Sequence, residues 1–215
     1  MAHGAREQPR NAAEPAAPPK RPASIPVSTP DPAFATLYAD LPSLPDIIAA
    51  GLTLLFVGFN PSVYSAQRGH YYARPSNRFW PLLALAGLTP RRYAPEEDGT
   101  LPDLGIGITD LCPIPTPGIA DVPRAVAQSG RGALTAKVER YAPRIVSFNG
   151  RATYERFYGR PLPAWGLQEA RIGAATSLVF VTPSSSGRAN GVGAAREGAF
   201  LALGALVRDL HPTPP

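Results

Sequence analysis

Two residues of this chain have the chemistry to steer a water molecule, and each closes an apolar stretch of strand length. Leu52 to Val57 runs into Gly58-Phe59-Asn60-Pro61, and Ile106 to Thr109 runs into Asp110. An amide such as Asn60 orients a water but cannot take its proton, whereas a carboxylate such as Asp110 can do both. Ligands of open α/β sheets bind beyond the carboxyl ends of the strands, which is where both residues fall if these stretches are strands. Taken alone, Asn60 fits equally well as a residue chosen because it tolerates a turn, and Asp110 as a loop cap.

The elements that must position them alternate along the chain. Strands are expected over 53–58, 106–109, 144–148 and 177–181, with helix-like stretches between. Leu44, Ile47 and Ile48 have helical spacing, and Pro45 suits a first turn, so a short helix is expected over 41–50. Ser76 or Asn77 caps a helix whose apolar face is Phe79, Leu82, Leu83 and Ala86, ending at Gly87. Leu134, Val138 and Tyr141 mark another helix, and Tyr154, Phe157 and Tyr158 a short one after Gly150. Ala199, Leu203, Leu206 and Leu210 give the inner face of a last helix over 193–210. Strands alternating with helices form parallel βαβ units, so the fold class is α/β: a three-layer α/β/α sandwich around a mostly parallel sheet of about four strands.

Composition bounds the rest. A chain of 215 residues with 44% hydrophobic residues buries one substantial core, expected over 36–215. Residues 1–35 carry eight prolines (Pro9, Pro15, Pro18, Pro19, Pro22, Pro26, Pro30 and Pro32) and hardly any large apolar side chain, the signature of a disordered tail. The net charge of +5 suggests an anionic partner. The only lysines are Lys20 and Lys137, the latter in an expected surface helix. Cys112 is the only cysteine, and His3, His70 and His211 are scattered, so no metal-ligand spacing exists and no metal or cofactor is expected. No apolar run reaches membrane-span length and no signal-peptide core is present; a soluble monomer of the cytoplasm or nucleoid is expected.

Five segments in order carry a more specific message: Gly58-Phe59-Asn60-Pro61, Gly69 to Trp80 (GHYYARPSNRFW), Gly107 to Leu111 (GITDL), Arg144 to Gly150 (RIVSFNG), and Thr182 to Arg188 (TPSSSGR). Together they resemble the mismatch-specific uracil/thymine DNA glycosylases over roughly 49–188. The resemblance implies a uracil-DNA glycosylase-like fold and double-stranded DNA with mismatched or deaminated bases as partner. It implies that the Asn60 carbonyl holds the attacking water and that a flipped base stacks on Tyr72. Asn77 and His70 are secondary base-pocket candidates, and the backbone amides near Phe59 and Ser62 are donors to the departing base. In that family the Ser184, Ser185, Ser186, Gly187, Arg188 loop enters the duplex. Here the serines are expected to hold phosphates, Gly187 to give flexibility, and Arg188 to fill the vacated space.

Three departures individualise the chain. Many members carry lysine or asparagine where this chain has Asp110, which makes this carboxylate a candidate proton acceptor. Ser62 replaces the usual glycine and is expected to narrow the pocket toward uracil rather than thymine. Ser186 stands where the family inserts a leucine. With neither lysine in a motif, a Schiff-base lyase is not expected. The expected activity is monofunctional excision of uracil, chiefly from G:U pairs, leaving an abasic site in base-excision repair. A noncatalytic nucleic-acid-binding protein is the alternative. A nucleoside enzyme on the same sheet lacks any phosphate-loop or dinucleotide fingerprint.

Overall fold

In the computed structural model, residues 40–187, 189, 191 and 193–210 are described. The proline-rich tail and Arg188 lie outside them. Five strands form one sheet in the order β2-β1-β3-β5-β4: β1 (Leu54–Gly58), β2 (Ile106–Asp110), β3 (Ile145–Asn149), β4 (Gly166–Gln168) and β5 (Leu178–Thr182). β1, β2, β3 and β5 are parallel, and short β4 runs antiparallel to β5 at one edge. The four expected strands are present within a residue or so of their expected limits. The fifth escaped notice because three residues, Gly-Leu-Gln, carry neither a run nor an alternation.

All five residues of each of β1, β2 and β3 are buried, as expected of strands covered on both faces. Leu54 and Phe56 of β1 point to one side, with Ile106, Ile108, Ile145 and Phe180. They pack against helices α2 (Phe79–Leu85) and α5 (Gly193–Leu210), which contribute Phe79, Leu82, Leu83, Phe200 and Leu203. Leu55 and Val57 point to the other side with Val146, Phe148, Val179 and Val181. There they meet α3 (Arg124–Tyr141) through Leu134 and Val138, and α4 (Arg151–Tyr158) through Tyr154 and Phe157. The result is the three-layer sandwich, its period-two alternation dividing each strand between two cores.

One expected element is absent. Residues 41–50 form no helix; instead Ile47 pairs with Ile108 through Ile47 N–H to Ile108 O (2.9 Å) and Ile108 N–H to Ile47 O (2.8 Å). The spacing of Leu44, Ile47 and Ile48 was misleading because Asp46 between them is anchored to the sheet. It accepts from Thr109 Oγ1 (2.6 Å) and is ion-paired to Lys137 Nζ (2.6 Å). Tertiary bonds thus override a weak local helix preference. Three further pieces have no counterpart in the sequence expectations: helix α1 (Val63–Arg68) and 3-10 stretches over Pro95–Leu104 and Ile119–Asp121.

β1 lies between β2 and β3, so its neighbours leave it in opposite directions, and the crevice beyond its carboxyl end is the natural ligand site of this topology. The β1–β2 pairing continues past the strands. Leu111 N–H bonds Gly58 O (2.9 Å), Cys112 N–H bonds Phe59 O (2.8 Å) and Thr116 N–H bonds Pro61 O (3.1 Å). The two loops that leave this edge are therefore zipped together as far as Thr116.

Candidate active site

At the carboxyl edge of the sheet a cleft of about 380 Å³ opens, lined by Gly58 to Ser62 after β1, Tyr71 and Tyr72, Asp110 at the end of β2, Asn149 at the end of β3, and Ser184 to Gly187 after β5. That volume falls in the range of roughly 300–1,000 Å³ common to small-ligand sites. Asn60 and Asp110, separated by 50 residues in sequence, share its floor.

Asn60 is fixed by its amide nitrogen. Nδ2 faces three acceptors: Thr116 Oγ1 (2.8 Å), Ile114 O (3.0 Å) and Pro61 O (3.1 Å). No acceptor-rich neighbourhood of that kind would tolerate the flipped amide, so the orientation is decided by hydrogen bonding. Oδ1 accepts no hydrogen bond from any described side chain or amide, and the residue lines the cleft. A fixed carbonyl with spare lone pairs is a water-orienting group.

Asp110 is 8% exposed and sits opposite Gly58 in the β1–β2 register. A side chain on Gly58 would collide with Asp110 Oδ1, so glycine is required there for the carboxyl group to lie over the strand. Oδ2 is buried with no hydrogen-bond partner. Burial, and secondarily the Asp46 carboxylate, push the Asp110 pKa up to about 8, while Lys137 pulls it down. In the ligand-free protein at neutral pH the group is therefore chiefly the neutral acid. A base of this strength, once ionised, is well matched to accept a proton near neutral pH.

Tyr72 holds a left-handed backbone conformation at φ 53°, which in a non-glycine residue costs about 1–3 kcal/mol and recurs at functional sites. Its ring stacks on Phe79 at 3.9 Å between centroids and 26° between planes. The preceding amide is tied down: Tyr71 N–H donates to Asp98 Oδ2 (2.9 Å). The other oxygen of Asp98 meets His70 Nδ1 at 3.2 Å. His70 is thus half of a pair with Asp98 and does not line the cleft, in contrast to its expected place in the base pocket.

Several further assignments are refined. Asn77 lines the cleft and its Oδ1 accepts the Phe79 N–H (3.0 Å), a turn bond that leads into α2 one residue before its N-cap, Arg78. Ser62 is the N-cap of α1: its Oγ accepts the Ser65 N–H (3.1 Å) and donates to Ser65 Oγ (3.1 Å), so the hydroxyl is committed to the helix while the residue borders the cleft. Phe59 lines the cleft but is itself buried with Cys112, Val122 and Val126.

The serine loop divides in two. Ser185 is buried; its N–H donates to Asn149 Oδ1 (2.9 Å) and its Oγ accepts from Asn149 Nδ2 (2.9 Å). Its carbonyl accepts the Arg78 N–H (2.9 Å). Ser185 is consequently the anchor of a loop that also lines the cleft. Gly187 also differs in role. A Cβ there would come within 2.5 Å of Ser76 O and 2.8 Å of the Ser76 side chain, so close approach, not flexibility, demands glycine. Ser184 and Ser186 remain at the cleft rim.

Comparison with known proteins decides the family. The family model described as the uracil DNA glycosylase superfamily matches residues 45–203, most of the chain and all of the cleft lining but Leu44. The chain belongs to the uracil DNA glycosylase superfamily. An NMR structure from Methanosarcina acetivorans, provisionally named a uracil DNA glycosylase, is similar at 22% identity and a TM-score of 0.48, covering 78% of this chain and 98% of that one. A likeness that slight adds nothing to the assignment, which stands on the family model. Within the superfamily setting, Asn149 is the site residue that sequence reading missed. The segment Arg144 to Gly150 carries the family resemblance, yet the side chain of its asparagine bonds to a loop 36 residues away, which no local pattern discloses.

No described group of histidine, cysteine, aspartate and glutamate side chains could hold a metal ion, and no described helix is long and apolar enough to cross a membrane.

Proposed function

We propose that the protein is a monofunctional DNA glycosylase that extrudes uracil, chiefly opposite guanine, from mismatched double-stranded DNA and leaves an abasic site for base-excision repair. Thymine is the poorer substrate, and the enzyme acts as a monomer. Membership of the superfamily supports the reaction class; the observation that carries the proposal is the free Asn60 carbonyl beside the buried Asp110 carboxyl in one cleft walled by Tyr72.

Extruding a base costs a few kcal/mol, less at a mispair that is already poorly stacked. Stacking on Tyr72 returns about 1–3 kcal/mol. Cleavage then breaks the bond between the base and C1′, with the electron pair leaving on the base, while water forms the new bond to C1′. Asn60 Oδ1 accepts a hydrogen bond from that water and aims its lone pair. Asp110, ionised, takes the proton. Positioning plus general-base help of this kind is worth on the order of 10² to 10⁴ in rate. Ser184 and Ser186 border the path of the flipped nucleotide's phosphates, and Arg188 directly follows that loop to fill the vacated space.

The monofunctional assignment is supported by Lys137. Its ammonium is ion-paired with Asp46 (2.6 Å) and donates to Thr109 Oγ1 (3.1 Å), so it is no free amine for attack on the sugar.

The test is a panel of duplexes carrying U or T opposite each base, scored for abasic sites with and without alkali. G:U is expected to be processed fastest and strand breaks to require alkali. Intact glycosidic bonds after long incubation with excess enzyme would leave a noncatalytic DNA-binding protein; a borohydride-trapped adduct would make it a lyase.

A further inference from the structure

The Tyr72 side chain has a second functional group that base stacking does not use. Its hydroxyl is buried with no hydrogen-bond partner, and so is Oδ2 of Asp110. Both residues reach the same patch of backbone: a Cβ placed on Gly58 would collide with Asp110 Oδ1 and come within 3.1 Å of the Tyr72 hydroxyl oxygen. Two residues that converge over one glycine at the cleft floor thus each keep open hydrogen-bonding capacity there, and an unpaired buried polar group is costly until it is bonded. The strained backbone of Tyr72 and its stack on Phe79 hold the hydroxyl there. The Asn149 side chain, which bonds Ser185 through both polar atoms, also acts on this hydroxyl and lowers its pKa, against the larger raising effect of burial.

We propose that the Tyr72 hydroxyl is a positioning residue for Asp110: its O–H donates to the Asp110 carboxylate in the reacting enzyme, holding the second carboxylate oxygen toward the nucleophilic water. This rests on the glycosylase function proposed above and adds a part to it. No bond is made or broken by Tyr72; the water proton goes to Asp110, and the phenol keeps its own. The phenol is suited to staying protonated, because burial and then the Asp110 charge raise its pKa. A donor to the anion offsets part of the burial cost that Asp110 bears when it ionises. The other titratable groups acting at this spot are Asp46 from the segment before β1, Lys137 from α3, Tyr71 beside Tyr72, and Cys112 beyond β2. Of these, Asp46 and Lys137 are already bonded to each other and to Thr109.

Tyr72→Phe keeps the ring and removes only the oxygen, so it separates stacking from positioning. The measurement is single-turnover uracil release from a G:U duplex at saturating enzyme between pH 6 and 10, for wild type, Tyr72→Phe, Asp110→Asn and the double variant. Tyr72→Phe is expected to release base at least tenfold more slowly at pH 7, to displace the acid limb of its profile toward higher pH, and to bind the duplex as tightly as wild type. In the Asp110→Asn background the same change is expected to alter the rate less than twofold. The proposal is overturned if Tyr72→Phe stays within twofold of wild type with an unmoved profile, or if its effect persists undiminished without Asp110. Wild type that releases no base at all would instead overturn the glycosylase function itself.

Discussion

Two asparagines at the carboxyl edge of neighbouring strands border the same cleft and do opposite things. Asn149, the last residue of β3, uses its carbonyl and its amide nitrogen on one residue, Ser185, and so fastens the loop that follows β5. Asn60, after β1, uses only its nitrogen, on three acceptors of its own and the adjoining loop, and turns an unused carbonyl to the cleft. Asn149 is the last residue of β3 and Asn60 stands two residues past β1, yet the side chain is the same; what its polar atoms bond to separates scaffold from reactive centre. The Asn149–Ser185 pair, which joins the end of β3 to the loop after β5, is a closed pair of bonds that places the rim. The floor at β1 and β2 leaves its polar atoms unpaired, Asp110 Oδ2 and the Tyr72 hydroxyl among them, as a site must if those bonds are to go to substrate and water.

The contrast breaks most sharply by replacing each asparagine. Asn60→Ala is expected to lower the saturated single-turnover rate by about 10² to 10⁴ while the melting temperature moves little. Asn149→Ala is expected to do the reverse in kind. It leaves the buried Ser185 N–H and hydroxyl unpaired, at about 1–3 kcal/mol for each group left bare, so thermal stability and duplex affinity fall together. If the two variants show the same mixture of defects, saturation is not what separates the roles.

A pH profile sharpens the distinction next. Because Asp110 must be ionised to take a proton and its pKa is raised to about 8, wild-type base release is expected to climb about tenfold per unit below that value and to level above it. A flat profile from pH 6 to 9 would remove Asp110 from the reaction.

Stability should answer in the opposite sense. A carboxyl whose folded-state pKa lies above its unfolded value favours the folded protein least where it is forced to ionise, so stability contributed at low pH is lost as pH rises from about 4 through 8. Asp110→Asn removes that cost, and calorimetry at pH 8.5 is expected to show a gain of about 1 kcal/mol or more, which in a chain this size is about 2–4 °C. An unchanged or lower melting temperature would mean the carboxylate is satisfied after all. The smallest effect is expected at the rim. Gly187→Ala must push the loop off Ser76, weakening G:U duplex binding several-fold while leaving the rate at saturation within twofold.

How far the sequence disclosed this follows from the range of each interaction. Asn60 and Asp110 were legible because each directly follows an apolar run, and an α/β alternation brings such ends to one edge. The layering was legible for the same reason, since the stripes Phe79-Leu82-Leu83 and Leu134-Val138 are local. Beyond short elements such as β4, which carry too few residues for a local pattern, the misreadings were long-range. Asp46 unmade a helix by bonding across 63 residues to Thr109. Ser185 turned inward because of Asn149, His70 turned to Asp98, and the acidity of Asp110 depends on burial and on Asp46. Nothing within ten residues of any of these positions records the partner that decides it.

The convergence of Asn60 and Asp110 on a single water is tested most directly by a double-mutant cycle. Single-turnover uracil release from a G:U duplex would be measured for Asn60→Ala, Asp110→Ala and the double variant at saturating enzyme and pH 8.5. Two groups serving one water are expected to slow release at least 100-fold singly, on the general-base scale, with the double variant no more than a few-fold slower than the worse single. Fully multiplicative losses would place them in separate steps, and two single variants within a few-fold of wild type would contradict the account outright.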